Sequence, residues 1–324
     1  MEAVNSLQQA IQHFSSYDNC KVFLVALRWP DGKVKCPTCG SEKVTYLENA
    51  RLFKCYSKHD RPKFSLKTGT VFEDSPLGLD KWLPVMWMLV NCKNGVSSYE
   101  IHRAIGVTQK TAWFMLQRCR LALQDSQTGG KLGGEVEVDE TFVGGKARNM
   151  HKNKRTEKIK GRGPVGKAIV AAVLERGGKV RAKVVGKRKK KDLQGLVREN
   201  VEAGSALFSD ELKSYDGLYQ DYAHQVINHA VQYVDGNVHT NGMENFWSLL
   251  KRGINGTYVS IEPFHLFRYV DEQAFRFNTR LDVDGEKLGD GERFAIAMRQ
   301  AVGRRLTYKQ LIGETDEESQ TAAI

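Results

Sequence analysis

The chain has 324 residues, enough for two or three domains with a sizeable core, and its 41% hydrophobic content is that of a globular protein. A net charge of +11 and a pI near 9.3 favour polyanionic partners without deciding the fold. The longest apolar run, WLPVMWMLV (82–90), is far short of the ~20 residues that span a bilayer, and six cysteines are too few for a disulfide scaffold. The opening MEAVNSLQQAIQHF has no secretory pattern, so no membrane is expected and a reduced cytoplasmic setting is.

Residues 1–30 read as an amphipathic helix and a linker. Residues 31–75 hold short strand-like runs (VTYL, RLFKC, KFSL) around Cys36-Pro-Thr-Cys39. The turn of a C-x-x-C lets two thiolates face one tetrahedral ion, and Gly40 relieves the backbone there. Cys55 follows at hairpin distance, position 58 is Lys58, and His59 is the next candidate, which makes a Cys3His site for one Zn²⁺. The competing reading is a set of buried cysteines without metal. A ribbon with so few large apolar residues, however, needs zinc to fold. Cys20, Cys92 and Cys119 lie on apolar faces and read as core thiols.

Residues 76–126 read as helices. Asp80 is expected to cap one running to about Asn91, with Pro84 in its first turn. Ser97-Ser98-Tyr99-Glu100 has capping-box spacing and opens a helix to about Ile105. Gly106 makes the turn, and Thr108 caps a third helix through Leu123. Helix–Gly turn–helix at this length fits a helix-turn-helix DNA-binding segment, with Gln109, Lys110 and Arg118 as candidate DNA contacts. An ordinary three-helix bundle is the bland alternative.

After the Gly-rich joint SQTGGKLGG (126–134), strand-like segments fall at 135–143, 168–175, 179–186, 205–209 and 224–228, with a helix near 190–202. Helices are expected over 240–252 and 262–278, and residues 281–324 form a C-terminal helix and an acidic, polar tail. Nine Lys or Arg against Glu157 alone lie between Lys146 and Lys167, and Lys187-Arg188-Lys189-Lys190-Lys191 follows. Such runs are commonly solvated faces or loops, but phosphates laid across the neighbouring strands would meet them. GRGPVGKA (161–168) has the spacing of a P-loop, yet Ala168 replaces the hydroxyl and the strand follows rather than precedes, so no nucleotide is expected.

Three acids stand out. Asp139 ends the alternating run Val136-Glu137-Val138, Asp210 follows Ala206-Leu207-Phe208, and Glu244 opens MENFWSLLKR. Two acids at strand ends and one on a helix can converge, and such hard oxygens suit two Mg²⁺ or Mn²⁺ ions. Two ions ~4 Å apart activate an attacking oxygen and stabilise a leaving one at a phosphodiester. Rivals stand beside each acid: Glu140 on the opposite strand face, Glu137 on the same face as Asp139, Glu211 beside Asp210, and Asn241 one turn before Glu244.

The stretches CPTCG (36–40), KTGTVFEDS (67–75), VEVDETFVGGK (136–146), FSDELKSY (208–215) and HTNGMENFWSLLKRGINGTY (239–258) resemble the DDE transposases of bacterial insertion sequences, the ISXO-like type with an N-terminal zinc ribbon. The resemblance implies a multidomain α+β chain: zinc ribbon (31–75), helix-turn-helix (76–126) and ribonuclease-H-like catalytic domain (135–280). It assigns Asp139, Asp210 and Glu244 as the triad. Lys251, two turns beyond Glu244, becomes a phosphate contact, and Asn241 and His239 become outer or DNA contacts. Lys187, Arg188, Lys189 and Lys190 are expected on the DNA backbone. It implies release of a 3′-OH at the terminal inverted repeats, its transfer into target DNA, a homodimer or larger homo-oligomer, and a nucleoid-associated protein. The family usually shows C-x-x-C where this chain has Cys55 and Lys58, a departure that bears on the fourth zinc ligand. The alternatives are an inactive DNA-binding regulator descended from a transposase, and a nuclease without strand transfer.

Overall fold

The computed structural model describes residues 4–124, 130–145, 151–153, 156, 166–227, 239–282 and 284–314. The chain divides into two compact units, one of residues 1–124 with 281–324 and one of residues 125–280.

The first unit opens with α1 (Leu7–Phe14) and α2 (Tyr17–Arg28) rather than one helix and a linker. Ser16 takes an extended backbone and its side chain accepts the Asn19 amide, so the chain restarts a helix where a single one was expected. Strands β1 (Val44–Leu47), β2 (Leu52–Cys55) and β3 (Lys63–Phe64) form an antiparallel sheet in that order. Phe53, Cys55 and Phe64 turn inward from it. Helix α3 (Leu79–Asn91) starts earlier than expected. Gly78 is its N-cap, so Asp80 lies in the first turn, where its charge suits the helix dipole, and Pro84 lies inside the helix. Helix α4 (Ser98–Ile105) has the full Ser97/Glu100 capping box and ends at Gly106 in the left-handed region. Thr108 caps α5 (Gln109–Leu123) by accepting the Thr111 amide.

Residues 281–314 belong to this unit and supply two helices, α9 (Asp290–Gln300) and α10 (Tyr308–Ile312). Phe294 of α9 packs against Phe14, Phe23 and Trp87, with ring centroids 5.7, 5.5 and 5.2 Å away.

The second unit is built on a five-stranded sheet, order β6-β5-β4-β7-β8. The strands are β4 (Glu135–Val143), β5 (Ala168–Glu175), β6 (Val180–Val185), β7 (Ala206–Asp210) and β8 (Ala223–Ile227). The first three pair antiparallel; β7 pairs parallel with β4, and β8 parallel with β7. The crossover from β6 to β7 carries α6 (Lys190–Asn200), as a parallel connection requires. Helices α7 (Asn241–Gly253) and α8 (Leu266–Asn278) follow. Alternation along the strands makes two cores. Val170, Ala172 and Leu174 of β5 pack with Met243, Phe246 and Leu250 of α7 and Val270 of α8. Ala171 and Val173 pack with Val136, Val138, Leu193, Val197 and Tyr215 on the other face. The basic stretch of 146–165 lies outside the described residues but for 151–153 and 156, as do residues 126–129 of the Gly-rich joint and 315–324 of the acidic tail.

Phe246 is fully buried between α7 and the sheet. Phe246→Ala is expected to destabilise the second unit by about 3–5 kcal/mol, read as a lowered denaturation midpoint with an unchanged denaturant slope.

Candidate metal centres and nucleic-acid surfaces

Among the described residues, Cys36, Cys39, Cys55 and His59 form the one group of three or more Cys, His, Asp or Glu whose ligand atoms all lie within 4.8 Å of one another. Cys36 Sγ is 3.5 Å from His59 Nε2, and Cys39 Sγ is 3.7 Å from Cys55 Sγ. His59 Nδ1 lies 2.6 Å from the Asp60 carbonyl, a contact that calls for its proton and leaves Nε2 with a free lone pair for metal. Burial works against ionising Cys55, but hydrogen bonds from His59, Ser57 and Cys39 outweigh it and bring the thiol down to about 6. Three soft sulfurs and one imidazole nitrogen, one thiol already primed to ionise, fit a tetrahedral Zn²⁺. Cys20 and Cys119 are buried core thiols, and burial pushes both up to about 12.

On β4 the alternation of faces separates the rival acids. Glu140 lies on the α6 face, where Tyr215 donates to its Oε2 at 2.9 Å and Arg188 Nη1 to its Oε1 at 2.8 Å. Glu137 and Asp139 lie on the α7 face. Both oxygens of Glu137 are committed: Oε2 accepts the Met243 amide at 2.8 Å and Oε1 accepts Arg176 Nε at 3.1 Å. Asp139 accepts the Trp247 indole at 2.9 Å and the Glu140 amide at 2.7 Å, with no cation beside it among the described residues. Burial pushes Asp139 up to about 7, against the pull of these two hydrogen bonds and with further help from the charges of Glu140 and Asp210. Burial also raises Glu140, although Tyr215 and Arg188 oppose it.

Asp210 ends β7, and its Oδ1 accepts the Leu212 amide at 3.1 Å. The parallel register pairs Glu137 with Phe208, so Asp139 and Asp210 each lie two residues beyond that pair on adjacent strands. Glu244 and Lys251 are exposed on α7, and neither makes an ion pair among the described residues. Glu244, Trp247 and Lys251 succeed one another at three and four residues, a single helical stripe, and Trp247 in its middle is bonded to Asp139. The three acids are not drawn to the spacing of the cysteine cluster. Asn241 is exposed at the start of α7, whereas His239 is held by Arg176 through its carbonyl at 2.6 Å.

Lys187, Lys189 and Lys190 are exposed, and Lys189 is the N-cap of α6. Positive charge at the positive end of a helix costs about 0.3–1 kcal/mol per group unless an anion shares it. Arg188 leaves this solvated set in part, since its guanidinium is tied to Glu140. Lys110 is exposed and lies 4.8 Å from the ring centroid of Tyr308. Arg118, expected as a DNA contact, is only 4% exposed: it donates to the Glu73 carbonyl and lies over the rings of Trp82 and Phe114. Its position on the inner face of α5, three and four residues from Met115 and Phe114, removes it from the surface.

Sequence reasoning did not find the roles of Trp247, Tyr215 and Arg176. Trp247 was visible as an aromatic at i+3 from Glu244 whose indole N–H needs a partner when buried. Tyr215 and Arg176 reach the acids only through the fold, and no local spacing announces them.

One unit thus carries a Cys3His ribbon and the other a mixed sheet with acids on both faces of its central strand. Residues 15–58 match the transposase zinc-ribbon domain and residues 131–278 the ISXO2-like transposase domain. An uncharacterized protein in transposable element ISH50 of Halobacterium salinarum is 28% identical over 256 residues, covering 76% of this chain and 85% of that protein. An uncharacterized transposase-like protein of Haemophilus influenzae is 32% identical over 84 residues, covering 26% of this chain and 68% of that one. The chain belongs to the ISXO2-like insertion-sequence transposases. The matched ribbon ends at Lys58, one residue short of His59, so the fourth ligand comes from this chain's geometry and not from the match. No helix among the described residues is long and apolar enough to cross a membrane.

His59→Ala is expected to weaken zinc by more than the ~10–100-fold that losing an outer partner costs, and His59→Cys to retain it; zinc content after dialysis against a graded chelator reads both. Asp139 gives a second expectation. The folded carboxyl keeps its proton to about 7, whereas an unfolded one loses it near 3.9. Between these values the folded chain binds more protons, so stability falls as pH rises through the window and levels off above it. In magnesium-free buffer Asp139→Asn should flatten that slope.

Proposed function

We propose that this chain is an active transposase that binds the ends of its insertion sequence, hydrolyses a phosphodiester there to free a 3′-OH, and joins that end to target DNA. In this reading the second unit is a ribonuclease-H-like catalytic domain, and Asp139, Asp210 and Glu244 hold two Mg²⁺ or Mn²⁺ ions. The observation that carries the proposal is Asp139. It is a half-buried carboxyl pushed up further by the like charges of Glu140 and Asp210, and its neighbours among the described residues supply two hydrogen bonds but no cation. Such an excess of negative charge suits a divalent ion, and the donors are the hard oxygens that Mg²⁺ takes. When bound, the ions would supply the activated attacking oxygen and the charge stabilisation of the leaving one.

The chain's own residues do the rest. Trp247 holds Asp139 in one orientation and leaves the carboxylate less free to turn. The Arg188–Glu140 pair ties the basic run of 187–191 to the same strand, so phosphates held by Lys187, Lys189 and Lys190 would lie beside the acids. Lys251 follows on the stripe of Glu244 and would take a further phosphate. On α5 the opening turn is the accessible end, with Gln109 half-buried and Lys110 exposed, and a helix-turn-helix reads bases with that end of its second helix. Dimerisation is expected because two ends must be joined.

The test uses DNA carrying the flanks of the element with Mg²⁺ or Mn²⁺, and maps new ends and joints. Asp139→Ala should lower cleavage below detection while boundary binding stays within about twofold. Lys251→Ala should weaken binding and reduce its salt slope by about 1. Binding without any nick or joint at either metal would favour a DNA-binding regulator, and nicks without joints a nuclease.

A further inference from the structure

We infer that Glu137 is a positioning residue: it caps helix α7 from the neighbouring strand and sets the height of Glu244 over Asp139. The inference rests on the proposed role of those two acids. Glu137 is 1% exposed at the centre of the sheet. The N-cap residue of α7, Thr240, makes no side-chain bond to its own helix. The Met243 amide, an orphan donor of the first turn, is instead taken at 2.8 Å by Glu137 Oε2. A carboxylate here also meets the positive end of the helix dipole.

The other oxygen fixes the carboxylate itself. Arg176 Nε donates to Oε1 at 3.1 Å, while the same guanidinium reaches Glu135 at 3.1 Å and the His239 carbonyl at 2.6 Å. Arg176 thereby braces both the strand and the segment that leads into α7. Space for the close approach comes from Gly242: a Cβ there would sit 3.0 Å from Glu137 Oε2 and 3.0 Å from Leu174 Cδ2.

The spacing makes this a two-point clamp. Glu137 and Asp139 are two residues apart on one strand face, about 6.7 Å. Their partners on α7, Met243 and Trp247, are four residues apart, a rise of about 6 Å. Strand and helix are therefore commensurate over one helical turn, and Glu244 lies between the two grips. A helix held only at Trp247 would pivot, and Glu244 would swing with it.

Glu137→Gln keeps the size and one acceptor but removes the charge; Gly242→Ala keeps Glu137 and pushes the helix away. Glu135→Gln removes an outer partner of Arg176 and leaves the clamp. Zinc-loaded full-length protein is titrated with Mn²⁺, free ion being read by electron paramagnetic resonance, and amide exchange is followed over 241–247. Expected are about tenfold weaker Asp139-dependent Mn²⁺ binding and faster exchange in both Glu137→Gln and Gly242→Ala, at an unchanged melting temperature of the first unit, with Glu135→Gln like the parent. Cleavage by both variants should recover at high Mn²⁺ with the KM for DNA unchanged. Parent-like exchange and Mn²⁺ affinity in both variants would overturn the inference. Faster exchange in both, with Mn²⁺ binding in the parent indifferent to Asp139→Asn, would uphold the cap and sink the two-metal reading instead.

Discussion

Strand β4 sets the terms for the second unit because it buries carboxylates on both faces of one sheet. Unpaired, each would cost several kcal/mol or take up a proton. Glu140 is offset by Tyr215 and Arg188, and Glu137 by Arg176 and the first turn of α7. Asp139 has two hydrogen bonds and no cation beside it among the described residues. The fold thus gives charged partners to the two flanking acids and leaves the middle one inclined to hold a proton. Breaking either flanking set would free a second acid on the same strand, so the network that stabilises the strand also decides which carboxyl is left without an ion-pair partner among the described residues.

The first unit solves a different problem. Its ribbon has a short three-stranded sheet and a small apolar face, so metal ligation has to supply what the core does not. Its helices are stopped and started by side chains, with Ser6, Ser16, Ser97 and Thr108 each accepting an amide of the first turn. The Thr108 cap, with Gly106 ending α4, fixes where α5 begins, and so which residues of α5 reach solvent. That geometry buries Arg118 and exposes Lys110.

Much of this was legible in the sequence where the signal is local. Period-two alternation located β4, β5 and β6 within a residue or so, and capping chemistry located α4 and α5. Cys36, Cys39, Cys55 and His59 were readable from spacing because a zinc knuckle is nearly a local structure. Arg118 was misread because the inner face of α5 is mixed: an arginine lies there over Trp82, and charge is a poor guide to exposure when an aromatic face and a carbonyl receive it. The choice among Glu137, Asp139 and Glu140 was open to period-two reasoning only as far as the face. Which acid stays free depends on Arg176, Tyr215 and α7, at separations in sequence of 39, 75 and 106 residues.

The first unit is discontinuous: Phe14, Phe23 and Trp87 close around Phe294, which is made 207 to 280 residues later. The intervening unit, residues 125–280, is continuous and carries its own cores. During synthesis it can therefore complete its folding while the N-terminal helices still wait for α9 to leave the ribosome. Vectorial synthesis thus permits an order of assembly in which the sheet of the second unit forms first and the ribbon-bearing unit is sealed last. A chain terminated just after residue 280 would hold the second unit's sheet without the Phe294 that closes the first unit.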